Sequence, residues 1–138
     1  MVHTVRHRVA TNGQRDAHDI TTQVGAAVAA SKLKNGIVTV FVVGSTAVVT
    51  TIEFEPGAIG DLNDLLEQLA PRDRDYAHHQ RWGDDNGSSH VRAALMGPSL
   101  SVPFVDGALV LGTWQQIMLL ECDTRPRTRE IVVQAIGE

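Results

Sequence analysis

What the chain lacks narrows its nature first. Cys122 is the only cysteine, so no disulfide forms within the chain, and a reducing, cytoplasmic setting is expected. Aromatic residues make up only 4%, so the core has to be built from Val, Ile, Leu and Ala. No window approaches the ~20 apolar residues of a membrane helix, and the segment Met1 to Arg8 has no apolar stretch of signal-peptide length. Positive charge is not in excess: the formal net charge is −4 and the isoelectric point about 5.8. That composition excludes a broad phosphate-backbone-binding surface, so no nucleic-acid partner is expected. The glycine motifs that cradle phosphates are missing, as is a serine nucleophile elbow. Cys122 lies in an apolar run beside Glu121 and Asp123, which disfavours a reactive thiolate. What remains is a chain of 138 residues, 43% hydrophobic and 20% charged, suited to one globular domain spanning 1–138.

Periodicity gives the elements. Residues 2–10 alternate, which predicts a strand with Val2, Thr4, Arg6 and Arg8 opposite His3, Val5 and His7, the histidines read as surface residues. Asn12-Gly13 marks a turn. A helix is predicted to start at Asp19 or Thr21, carry Val24, Ala27, Val28 and Leu33 on one face, and end at Asn35-Gly36. The run Ile37 to Val43 reads as a strand buried on both faces, and Ala47 to Phe54 as a second strand. After the turn at Glu55-Pro56-Gly57, a helix with Ile59, Leu62, Leu65, Leu66 and Leu69 on one stripe ends at Pro71. Residues 72–90 are the most polar stretch and read as a long loop, a length often tied to function. Strands are then expected at 91–96, 100–105, 108–122 in one or two pieces, and 129–136. The order predicts an α+β fold with two helices and a largely antiparallel sheet.

The candidate chemistry gathers in few places. Of six histidines, three fall in the polar loop. His78 and His90, with Asp84 and Asp85 between them, are the residue types of a zinc or other transition-metal site; they are equally the residues of a hydrogen-bonded surface pair. Glu53 falls inside the Val/Thr strand. It is either a carboxylate tuned by burial for acid–base work or one side of a solvated face. Arg125 and Arg127 flank Pro126 and are either a phosphate clamp or a charged hairpin. Thr113, Gln115 and Gln116 around Trp114 interrupt an apolar run after the Asp106-Gly107 turn. Buried polar groups cost on the order of 1–3 kcal/mol each when unpaired, so these residues tie a turn, line a site or glue an interface.

Several motifs carry a resemblance. They are Gly36-Ile37-Val38, Ser45-Thr46-Ala47, Ile52-Glu53, Asp61-Leu62, Tyr76-Ala77-His78, Asp85-Asn86-Gly87 with His90, Ser99 to Pro103, Gly107, Leu111-Gly112-Thr113-Trp114-Gln115, and Arg125-Pro126-Arg127 with Arg129. In this order and spacing the chain resembles the YjbQ family of secondary thiamin-phosphate synthase-like proteins. The resemblance implies a homotrimeric α+β fold with a pocket at a subunit boundary, lined by Glu53, His78, Asn86, His90, Thr113 and Gln115. It also implies transferase chemistry that joins a pyrimidine methyl pyrophosphate to a thiazole phosphate. His78 and His90 would then be catalytic residues or ligands of a weakly held Mg or Zn ion, Glu53 would orient the ligand or move a proton, and Arg125 and Arg127 would hold phosphate. A non-enzymatic small-ligand or metal-binding trimer, and a purely structural one, are the other readings. Two positions depart from the family's common pattern: Gly44 and Ser88 stand where many members carry histidine.

Overall fold

The computed structural model describes residues 1–138. In chain order it contains β1 (Val2–Thr11), β2 (Ala17–Asp19), α1 (Thr21–Ser31), β3 (Gly36–Val43), β4 (Ala47–Ile52), α2 (Pro56–Leu69), α3 (Ala77–Trp82), α4 (Gly87–Met96), β5 (Ser99–Val105), β6 (Ala108–Leu109), β7 (Gln116–Glu121) and β8 (Arg127–Gly137). The expected α+β class holds, and every strand pairing is antiparallel.

The strands form two sheets, a larger one in the order β1-β8-β3-β5-β6 and a smaller one in the order β2-β7-β4. The smaller sheet is the middle layer. Ile117 and Leu119 of β7 point into a core shared with α1 and the larger sheet. Met118 and Leu120 point into a second core with Leu66 of α2 and Ala93 of α4. Each of these four is fully buried, worth about 1.5–3 kcal/mol apiece relative to exposure, so β7 is the axis of the fold. The strand buried on both faces is therefore β7 and not β3. In β3, Val38, Val40 and Val42 face inward, while Ile37, Phe41 and Val43 are about half exposed on the outer face of the larger sheet.

Local chemistry explains several boundaries. Helix α2 starts where Glu55 accepts hydrogen bonds from the N–H groups of Gly57 and Ala58 (2.8 and 2.7 Å), with Pro56 in the first turn, where its missing N–H costs nothing. Helix α1 ends at Ser31, ahead of the expected Asn35-Gly36, because Lys32 adopts the left-handed conformation (φ 60°). The expected loop 72–90 instead holds α3 and the first turn of α4. The expected strand at 91–96 is helical, consistent with Arg92, Ala93, Ala94, Leu95 and Met96 being good helix formers. There are thus four helices where two were expected. Arg92 is buried and anchors α4 to the end of α2, its Nε donating to the Ala70 carbonyl (3.0 Å) and its guanidinium pairing with Glu67. His3 and His7 are not free surface residues. They lie on the inward face of β1, half-buried, each with a buried Nε2 that has no hydrogen-bond partner.

Candidate active site at the His78–His90 pair

The site forms where the ends of several elements meet: the turn between β3 and β4, the segment after β7, the start of β8, and the helices α3 and α4. Its foundation is a buried ion pair. Glu121 closes β7 with no exposed surface, and Arg129 of β8 pairs with it through Nε (2.7 Å) and the guanidinium tip. Thr11 donates its hydroxyl to the same carboxylate (2.6 Å). Arg129 also donates to the Thr46 hydroxyl (2.6 Å), which in turn donates to Asp123 (3.1 Å). These bonds link residues far apart in the chain, and each buried polar group finds a partner, the condition for tolerating them inside.

Asp123 is the hub of the next tier. Burial alone would raise its carboxyl group. The Arg127 guanidinium (Nε to Oδ2, 2.9 Å), the Thr124 amide and the Thr46 hydroxyl outweigh burial and bring it down to about 2. Asp123 is therefore ionised throughout the physiological range. It also receives the Asn86 side-chain amide (3.4 Å). That fixes which end of the Asn86 amide faces the carboxylate, and its Oδ1 is left buried without a partner. Gly87 follows immediately. A Cβ there would stand 2.5 Å from the Tyr76 Cβ, so only glycine lets the start of α4 pack against the segment entering α3. The Gly87 N–H donates to His79 Nε2 (3.0 Å).

On this base stand the two histidines. His78 of α3 and His90 of α4 lie with ring centroids 4.4 Å apart and planes tilted by 36°. The Nδ1 of His78 bonds to Asp84 (2.9 Å), which orients the ring and leaves Nε2 for other contacts. Burial, then the neighbouring His78, lowers the pKa of His90, so at neutral pH His90 is an uncharged imidazole with a basic lone pair. His90 lines a groove of about 440 Å³ with Gly44, Ser45, Ala47, Ala94 and Pro98. Gly44 has φ +133°, and a Cβ on it would meet the Arg129 guanidinium at 2.9 Å, so the buried ion pair packs against bare backbone there.

The other expected residues lie elsewhere. Glu53 is exposed and sits one residue beyond the end of β4, whose ladder with β7 stops at Ile52↔Gln116. Thr113, Trp114 and Gln115 occupy an exposed turn between β6 and β7, not a buried strand. There the polar groups tie the turn down. Gln115 accepts from the Gly112 N–H (3.0 Å) and donates to the Thr51 hydroxyl (3.3 Å). Gln116 donates to the Thr113 carbonyl and accepts from the Phe54 N–H. Ala47 and Ile52 bound β4, so this group is about 15–20 Å from the His pair along the strand. Arg125 is exposed and makes no ion pair, whereas Arg127 is committed to Asp123. The structure thus unites His78, His90, Asn86 and Arg127 and separates them from Glu53, Thr113 and Gln115. Asp84, Asp123, Thr46, Glu121 and Arg129 complete the site. The readable signal for them was two acids, Glu121 and Asp123, at the end of an apolar strand.

Zinc asks for more donors than one chain brings together. Two imidazoles are available, one already bonded to Asp84, and no group of three His, Cys, Asp or Glu side chains converges anywhere in the structure. A tetrahedral zinc site takes three or four protein ligands, so the side chains of one chain fall short of that set.

Known proteins place this arrangement in context. The sequence model described as "UPF0047 protein YjbQ-like" matches residues 5–138. A UPF0047 protein of Methanothermobacter thermautotrophicus is 36% identical over 137 residues, covering 99% of this chain and 94% of its own. A Synechocystis UPF0047 protein is 37% identical over 131 residues, covering 94% and 88%. Among solved structures, a YbjQ-like protein of unknown function from Sulfolobus solfataricus superposes with a TM-score of 0.88 at 32% identity over the full length of both chains. A hypothetical protein from Aeropyrum pernix gives 0.89 at 30% identity, covering 98% of each.

Proposed function

The chain belongs to the YjbQ-like UPF0047 family, and on that premise we propose that the groove beside His90 binds a small molecule and that the His78–His90 pair is its acid–base centre. One observation carries this reading: an oriented imidazole and an uncharged one stack at the edge of a groove, with Asp84 behind the first. His90 has the protonation state of a general base at neutral pH. Asp84 holds His78 in the tautomer that keeps Nε2 available.

The reaction class to which we assign the site is a thiamin-phosphate synthase-like transfer, joining a pyrimidine methyl pyrophosphate to a thiazole phosphate with loss of pyrophosphate. Arg125 is the free cation for a phosphate, since Arg127 is already neutralised by Asp123. A weakly bound Mg or Zn ion on His78 or His90 would add charge stabilisation for the leaving group. The assembly proposed is a homotrimer. The outer face of the larger sheet, with Ile37, Phe41, Val43 and Ile136 half exposed, offers an apolar surface for association. A neighbouring subunit would bring its Glu53–Gln115 end to the His pair, which one chain alone does not.

The test is turnover of the two phosphorylated heterocycles by the native protein and by His90→Ala. Product formation that falls at least about a hundred-fold in the variant, within the usual weight of an acid–base residue, supports the assignment. The second reading, a non-enzymatic ligand binder, is favoured by the resting state of Arg127. It predicts stabilisation of the native protein that grows with ligand concentration and no turnover.

A further inference from the structure

A second concavity lies on the same flank as the His90 groove, in the seam where the two sheets part. The sheets touch where the Val49 N–H donates to the Gly97 carbonyl (3.2 Å). Beyond that bond β4 and β5 diverge and leave a wedge of about 260 Å³.

Ladder parity decides what faces the wedge. In an antiparallel pair each residue sends its N–H and C=O to the same side, alternating along the strand. On β4, Thr46 accepts from the Cys122 N–H, so the even-numbered residues bond to β7. Ile117, which lies opposite Thr51, sends its carbonyl to the Ile20 N–H and its own N–H to the Thr21 hydroxyl. Thr51 therefore turns its N–H and C=O away from β7, to the side on which Val49 meets Gly97. On β5, Pro98 accepts from the Val42 N–H, so Leu100 and Val102 face β3 and Ser101 faces away. The next carbonyl on that edge, Pro103, is taken by the Val110 N–H. Ser101 has no strand beside it on that edge. The wedge thus carries main-chain donors and acceptors on each wall, from Thr51 on one side and from Ser99 and Ser101 on the other, none with a backbone partner.

Exposed strand edges are ordinarily protected by charge, proline or a covering element. Here no charged side chain lines the wedge. Thr50, Ser99 and Gln115 add hydroxyl and amide groups, and Met96 and Leu111 contribute apolar surface. The Val49–Gly97 bond closes one end, Val110, Leu111 and Gln115 of the turn after β6 line the cavity, and its volume of about 260 Å³ takes a compact molecule.

We propose that this wedge is a second binding site, for a compact neutral molecule that carries an N–H donor beside a carbonyl acceptor, as on a lactam or carboxamide edge. The free edges of Thr51 and Ser101 supply the complementary groups, and Gln115 borders the open side. Within one chain the site contains no ionisable group and shares no lining residue with the His90 groove.

The experiment uses 2-pyridone and N-methyl-2-pyridone, which differ in the donor, with the ¹⁵N-labelled full chain. In amide correlation spectra, 2-pyridone should give saturable shifts at Thr51, Ser101 and the Gln115 side chain at millimolar concentration. The methylated compound should bind about ten-fold more weakly, the effect of one lost hydrogen bond. Ser101→Pro removes an N–H that no ladder uses, and should weaken 2-pyridone similarly; the two pyridones test the site even if that variant does not fold. His90→Ala should leave 2-pyridone binding unchanged, which separates this site from the histidine groove. Equal response to both pyridones, absence of saturable shifts at the three groups, or shifts centred on Gly44 and residue 90 would overturn the proposal.

Discussion

At the scale of single residues, protonation and pairing set the behaviour of the site. His90 is held below the ordinary histidine range by burial and by His78. As pH falls below about 6.5 the unfolded chain takes up a proton at this position and the native site resists it, so stability declines on acidification. Asp123, held at about 2 in the native state, adds a second decline between about pH 4 and 2, where the unfolded carboxylate protonates first. Denaturant midpoints measured from pH 8 to 2 should fall in two stages, and His90→Gln should remove the upper stage alone. Replacing Asp84 with Asn should leave the fold intact and lower turnover by about ten- to a hundred-fold, the usual cost of losing a histidine's orienting partner; an unchanged rate would show that His78 needs no orientation. The histidines were legible in the sequence as residue types. The ion pair beneath them was not, because Glu121, Arg129, Thr46 and Thr11 come from four separate segments, brought together by the β1–β8 and β4–β7 pairings and the packing of one sheet on the other.

At the scale of elements, the lesson of α4 is specific. Its buried face is Gly87, Ser88, Ser89, Arg92 and Ala93, so the burial period is helical while the hydrophobic pattern is nearly silent. The polar stretch before it concealed α3 for the same reason. By contrast β1, β5 and β8 alternate plainly, and the Asp106-Gly107 turn lies between β5 and β6 as its sequence suggests. Two substitutions test the element contacts. Gly87→Ala forces a methyl group against Tyr76 and should cost about 1–3 kcal/mol, the range for overpacking, with the start of α4 losing hydrogen-exchange protection first. Arg129→Met leaves Glu121 buried without its partner and should cost about 3–5 kcal/mol; a loss under about 1 kcal/mol in chemical denaturation would mean that Thr11 and water suffice for that carboxylate. Ser88 is fully buried and bonded to Gln14 (3.4 Å) and does not line the His90 groove. A larger ring there has to displace packed neighbours before it can reach a metal.

At the scale of the whole molecule, the two sheets and two cores leave one broad surface unaccounted for. On the outer face of the larger sheet, Val2, Ile136, Ile37 and Pro103 form one cross-strand row by register, followed by a polar row in which Gln134 bonds Thr4 and Thr39 bonds Ser101. Phe41 and Val43 extend the apolar area on the central strand. A surface of alternating apolar and hydroxyl rows is suited to packing against a different patch of a neighbouring subunit, as a three-fold ring requires, and it is the face we propose for the homotrimer. Light scattering at micromolar concentration should give about three times 14.9 kDa. Ile37→Asp places a charge in the middle of the apolar row, where burying it unpaired is costly, and should shift the mass toward the monomer without unfolding the inner cores, because Ile37 contributes to neither. If the native protein is monomeric, the boundary pocket fails and the Glu53–Gln115 end has no part in the chemistry. Metal content then divides the remaining possibilities. Two imidazoles per chain bind zinc weakly, each missing ligand being replaced by water, so mass spectrometry after dialysis should find far less than one zinc per chain. Near-stoichiometric zinc would mean that the assembled trimer completes a coordination shell that one chain lacks, and would make the metal, not His90, the centre of the reaction.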